Sequence, residues 1–142
     1  MRSFRHFRLV VVLATVCATR AHAQAPTAAR DSIARAAAAR QLDLGDQWFH
    51  SVCVSCHAIG VLSNADFRLK WSGMNAFDLF ERIRSTMPAN RPGTLTMGTY
   101  AAIVAYLMKL NGMSVGARVV SSDSSALAAI RLRFAASAAT GR

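Results

Sequence analysis

Cysteine is scarce in this chain of 142 residues, with three in all, and only Cys53 and Cys56 stand close together. A tetrahedral zinc site would want a second Cys or Cys/His pair, and the remaining cysteine, Cys17, sits in a stretch that reads as a cleaved leader. Strand signals are missing as well. The residues around the cysteine pair show neither a strand run nor the β/α alternation that a thioredoxin-like dithiol requires. No apolar run reaches the roughly 20 residues that cross a bilayer as a helix. Basic residues outnumber acidic ones by 17 to 7, for a formal charge of +10. They form no dense Lys/Arg cluster interleaved with stacking aromatics, which argues against a nucleic-acid surface. No nucleophile and base are placed together as catalysis of substrate chemistry would need.

What is present begins with an export signal over residues 1–23. Arg2, Arg5, His6 and Arg8 make a basic start, Leu9 to Ala18 a short apolar stretch, and Ala21-His22-Ala23 the small-residue site that a signal peptidase reads. Cleavage is expected before Gln24. Lipidation at Cys17 is the competing reading, but Ala14, Thr15 and Val16 match such a site poorly. Losing residues 1–23 removes four arginines and no acid, so the formal charge falls from +10 to +6. The mature chain is expected to be soluble, with no membrane span, and its length suits one helical domain.

Cys53-Val54-Ser55-Cys56-His57 carries the chemistry. Two thiols at this spacing, followed at once by an imidazole, read as a c-type haem attachment site. The thiols reach two vinyl groups on one porphyrin edge, and His57 turns beneath the iron as an axial ligand. A zinc half-site, a bare dithiol and a structural disulfide are the readings weighed against it. Haem attachment and an export signal both point to the periplasm.

Along the chain, residues 24–42 are Ala-rich, with Asp31 as a possible cap, and suggest a peripheral helix or leader. Asp43 is expected to cap a fresh helix, on which Leu44, Trp48, Phe49 and Val52 recur at helical spacing and which delivers Cys53. Residues 58–74 read as a loop. Asn75, with Asp78 three residues on, caps the next helix, which stops near Thr86 because Pro88 pushes Met87 toward extended backbone. A thioether presented on that loop can point inward at the iron. Arg91-Pro92-Gly93 suggests a type II turn, and Thr96 caps a final helix that Gly112 ends. Met108 and Met113 suit the hydrophobic contact at such a glycine stop. Met74 lies too soon after His57, and Met97 is constrained by the first turn of the last helix. Met87 is therefore the expected second axial ligand.

These marks together resemble a class I c-type cytochrome. From Gly45 to Gly112 the chain is similar to the short single-haem cytochromes associated with quinoprotein dehydrogenases. The resemblance rests on Gly45, Phe49, Cys53 to His57, Asp78-Leu79-Phe80, Thr86-Met87-Pro88, Pro92-Gly93 and Tyr100 to Gly112. It implies an all-α, compact cytochrome c fold wrapped around one covalently attached haem c. The first and last helices would cross, with Gly45 allowing close approach near Tyr106. It also implies His57 and Met87 as iron ligands. The expected division is a leader over 24–42, a cytochrome domain over 43–113 and an extension over 114–142 that the haem fold does not need. One departure stands out: no proline occurs between His57 and Pro88. The partner of the axial histidine would therefore be a carbonyl within 58–70. Trp71 is either a propionate donor or core, His50 is a solvated residue, and Arg82, Arg84 and Arg91 form a solvated face or a docking surface.

The function expected is a non-enzymatic, periplasmic one-electron carrier between redox proteins. It would take electrons from a dehydrogenase and pass them to a terminal oxidase or other acceptor, as a monomer or within a redox complex. A dedicated cytochrome subunit of a dehydrogenase complex is the first alternative. A haem-based sensor or small peroxidase with an open sixth position is the second.

Overall fold

A computed structural model describes residues 27–113 and 116–134. The expected export signal over 1–23 lies outside the described residues. Helix α1 spans 27–48 without a break and passes directly into one π-helical turn, Phe49–Cys53. The fresh start expected at Asp43 is thus absent. Asp43 lies inside a helix that the Ala-rich stretch had already nucleated, so no free N–H groups await a cap there.

After the cysteine motif a 3-10 turn, Ile59–Leu62, leads to α2, Ala65–Trp71. The sequence suggested a loop here, because a helix this short shows no repeating apolar stripe. Asn64 nevertheless caps it, its side chain accepting from the Phe67 N–H at 2.8 Å. Phe67 and Trp71, four residues apart, then face the core together.

Helix α3, Ala76–Thr86, opens with the expected capping box. Asp78 N–H donates to Asn75 Oδ1 and Asn75 N–H to Asp78 Oδ2, both at 3.0 Å. Helix α4, Met97–Leu110, begins at Thr96, whose hydroxyl accepts from the Thr99 N–H. It ends in a Schellman motif: Met113 N–H donates to the Met108 carbonyl, and Gly112 N–H to that of Lys109, with Gly112 at φ +77°. Met113 packs on the cluster that contains Met108, the contact expected at such a stop.

Every residue from Thr99 to Ala105 on α4 is buried, so this helix is the centre of the molecule. One side meets Phe49 through Ile103 and Leu107. The other meets Phe67, Trp71, Leu79 and Phe80. Gly45 lets α1 cross it: a Cβ there would overlap the Ala102 carbonyl and stand 2.9 Å from Tyr106 Cβ. The close approach implied by the family resemblance is present.

The C-terminal segment differs from a dispensable extension. Val120, Leu127 and Leu132 are buried in the same cluster as Trp71 and Phe80, and α5, Ser124–Ala128, packs on α3. Gln41 donates to and accepts from the backbone of Val120, both at 2.7 Å, which ties α1 to this segment. Three backbone bonds pair residues 130–132 with the turn before α3: Gly73 N–H to Leu132, Leu132 N–H to Met74 and Ala76 N–H to Ile130. Among the described residues, no helix is long and apolar enough to cross a membrane.

Two substitutions test this packing by chemical denaturation of the full chain with haem attached. Gly45→Ala should destabilise by about 1–3 kcal/mol, since the added methyl meets backbone that cannot step aside. Leu127→Ala should cost about 2–5 kcal/mol by leaving a cavity under α5. An unchanged midpoint for Leu127→Ala would make residues 116–134 an appendage after all.

Candidate functional site

Helix α1 reaches the cysteine motif through its π turn, in which Val54 N–H donates to the Phe49 carbonyl five residues back, at 3.2 Å. Such a turn holds one more residue than an α turn and often marks a functional position. The chain then doubles back on Cys53: its carbonyl accepts from Cys56 N–H at 3.1 Å and His57 N–H at 2.9 Å. One carbonyl therefore gathers the second cysteine and the histidine around the first. Both thiols are free; Cys53 is half-buried and Cys56 exposed. Burial pushes the Cys53 thiol up from its ordinary value.

The wall beside Cys53 is apolar. Phe49, Ile103 and Leu107 are buried, and against them pack the half-covered side chains of Cys53, Leu62, Ile83 and Leu95. Four separate segments thus present partly covered groups to one cluster. Leu62 follows the cysteine motif, while Ile83 and Leu95 flank Met87 on either side. Tyr106 closes the α1 side, its ring 5.2 Å from Phe49. Burial, and then a hydrogen bond to Asp46, raise its pKa.

Met87 caps the end of α3 in extended conformation, φ −130° and ψ 147°, as a residue before proline should. Its N–H donates to the Ile83 carbonyl at 2.8 Å, and its carbonyl accepts from Tyr100 Oη at 2.9 Å. The peptide bond to Pro88 is cis. The side chain is half-buried, whereas Met74 and Met97 are exposed and Met108 lies in the opposite cluster.

Two thiols and an imidazole in one turn, with Cys53 packed on an apolar wall that also holds Ile83 and Leu95 from either side of a half-buried thioether, fit a covalently held haem. The thiols offer the attachment points, the wall offers contact for a porphyrin face, and the nitrogen and sulfur are suitable axial donors. Tertiary structure brings Cys53 to the same wall as the residues flanking Met87, which the sequence alone could not show.

Asn111 and Tyr100 were not singled out in the sequence as parts of the site. Asn111 is 4% exposed and donates to the carbonyls of Leu62 at 2.8 Å and Leu107 at 2.9 Å. It ties the end of α4 to the turn after the haem motif. Its position beside the Gly112 stop reads as a helix end, and nothing nearby in the chain signals a bond to Leu62. Of the residues considered peripheral, His50 is exposed and pairs with Asp46 at 2.9 Å. Trp71 is a core aromatic beneath Lys70 Nζ at 5.4 Å from its ring. Arg84 is engaged with Glu81 through two bonds of 2.9 and 2.6 Å, which leaves Arg82 and Arg91 as the exposed cations near Met87.

A family model described as Cytochrome C oxidase, cbb3-type, subunit III matches residues 40–107, just under half of the chain. No curated protein and no solved structure gives a significant match. The matched stretch is similar to a c-type cytochrome domain, with which the helical fold agrees, and such a domain implies covalently bound haem c with its iron.

Asn111→Ala should loosen the turn after the motif, because the Leu62 carbonyl loses its donor. The expected cost is about 1–3 kcal/mol, with faster amide exchange confined at first to Ile59–Leu62. Exchange there at the wild-type rate would show that the tether does not hold the turn.

Proposed function

We propose that this protein is a periplasmic single-haem electron carrier whose iron is ligated by His57 and Met87. The observation that supports the reading is that Cys53, the first residue of the motif, packs on the same apolar wall as Ile83 and Leu95, which flank Met87 in the chain. Haem c supplies a one-electron couple between ferrous and ferric iron.

The chain's own residues have three tasks in this reading. Cys53 and Cys56 form the thioether attachments, so the cofactor cannot dissociate with the electron. His57 and Met87 would hold the iron, a pairing that would raise its reduction potential. Phe49, Ile103 and Leu107 keep one side dry, which limits reorganisation of solvent when the charge changes. If His57 and Met87 both held the iron, no open position would be left for substrate chemistry. That separates a carrier from the sensor or peroxidase reading.

The donor is a dehydrogenase and the acceptor a component of the respiratory chain. The acceptor side draws support from the matched family, whose description names an oxidase subunit. Export to the periplasm rests on the basic start, the short apolar stretch and the Ala-His-Ala site of residues 1–23. A stable place in a dehydrogenase complex is the second reading. Segment 116–134 contributes to the core, so a partner would meet its outer face and not a free arm.

An absorption spectrum of the purified protein, wild type beside Met87→Ala, tests the proposal. The wild type should hold haem after acid–acetone extraction and show the Met-to-iron charge-transfer band in the ferric state. Met87→Ala should keep the haem, lose the band and bind cyanide readily. Extractable haem would sink the attachment reading. A band that survives the substitution would move the ligand to Met97.

A further inference from the structure

Tyr100 is fully buried, with 0% exposure, and its hydroxyl is used twice. It donates to the Met87 carbonyl at 2.9 Å and accepts from the Leu95 N–H at 3.4 Å. These two residues are the ends of the loop that leaves α3 and enters α4. The phenol ring is held edge-on to Phe80, centroids 6.2 Å apart at 77°, so the hydroxyl has little freedom to follow a moving loop. Within the loop the backbone closes on itself through Arg91 N–H to the Pro88 carbonyl at 2.8 Å.

Met87 is consequently fixed through its backbone on both sides. Its N–H is committed to α3 and its carbonyl to α4, while the thioether makes neither bond. We propose that Tyr100 is the positioning residue for the sixth-ligand loop: its hydroxyl clamps the two ends of 87–95 and so holds Met87 in place. This rests on the His57/Met87 reading, and it adds what keeps the sulfur from being displaced. Ligand entry at that position requires the loop to swing outward. The swing breaks the bond from Tyr100 to Met87 before any helix has to unfold.

The test uses the full-length holoprotein as wild type, Tyr100→Phe and Met87→Ala. Phenylalanine keeps the ring against Phe80 and removes only the hydroxyl. Cyanide binding to the ferric protein should be about fivefold to tenfold faster in Tyr100→Phe than in wild type, the fold-change of one lost hydrogen bond. On heating, the Met-to-iron band of Tyr100→Phe should bleach several degrees below the far-UV helix transition, whereas the two coincide in wild type. A purely structural role would lower both transitions together and leave them coincident. That result, or an unchanged cyanide rate, overturns the clamp.

Met87→Ala keeps the two failures apart. A band that persists in that variant defeats the ligand reading itself, whatever Tyr100→Phe does. A band lost in Met87→Ala, with Tyr100→Phe indistinguishable from wild type, defeats the clamp alone. Should Tyr100→Phe not accumulate, amide exchange in the wild-type holoprotein decides. The Leu95 N–H should exchange about tenfold slower than that of Thr94 if Tyr100 engages it, and equal rates overturn the proposal.

Discussion

The backbone of α1 touches the backbone of α4 at Gly45, where even one methyl group would overlap the Ala102 carbonyl. That contact sets the relation between the two halves of the site. The helix carries Cys53 eight residues beyond the crossing, about 12 Å at the rise of an α-helix, so the angle and depth of the crossing determine where the first thiol arrives. The same crossing brings Phe49 against Ile103 and Leu107, and those three residues are the buried part of the wall beside Cys53. A bulkier residue at position 45 would act at a distance, by lifting the whole cysteine-bearing end of α1 off that wall.

Helix α4 is covered on nearly all sides, and a chain this short can do that only by using its C-terminal segment. The family match ends at residue 107, but the burial of Val104, Ala105 and Met108 depends on a cluster that includes Val120, Leu127 and Leu132. Residues 130–132 also supply backbone partners to Gly73, Met74 and Ala76, which sit at the entry to α3. The segment therefore bears on the site indirectly, through the position of the helix that ends in Met87. Its Gln41 contact closes the circuit back to α1.

Local chemistry was readable where a few neighbouring residues decide it. The capping pair Asn75 and Asp78, the stop at Thr86 before Met87-Pro88, and the Gly112 ending all depend on contacts within a handful of positions. The all-α fold was readable for the same reason. Asp43 misled because a capping residue is identical in composition whether or not a helix already runs through it. Helix α2 escaped notice because Asn64, Phe67 and Trp71 span barely two turns, too few to make a period. The docking of 116–134, the Leu62–Asn111 tether and the Tyr100 clamp escaped for another reason. Each joins segments far apart in the chain, and a single sequence carries no record of such pairings.

The Met87 loop joins these levels. Proline at 88 sets the local backbone of Met87, but proline cannot determine where an extended residue lies in space. That is settled by the two helices on either side, through Ile83 below and Tyr100 above. Both of the main-chain polar groups of Met87 are thus spent on the scaffold, and the side chain is the one part left to serve as a ligand. On the proposed His57/Met87 ligation, an open-site haem protein would need this segment to be loosely held. Here its two ends are fastened to one buried phenol of α4, whose ring is itself packed against Phe80 of α3. The economy of that arrangement favours a carrier, because electron transfer asks the site to change charge without changing shape.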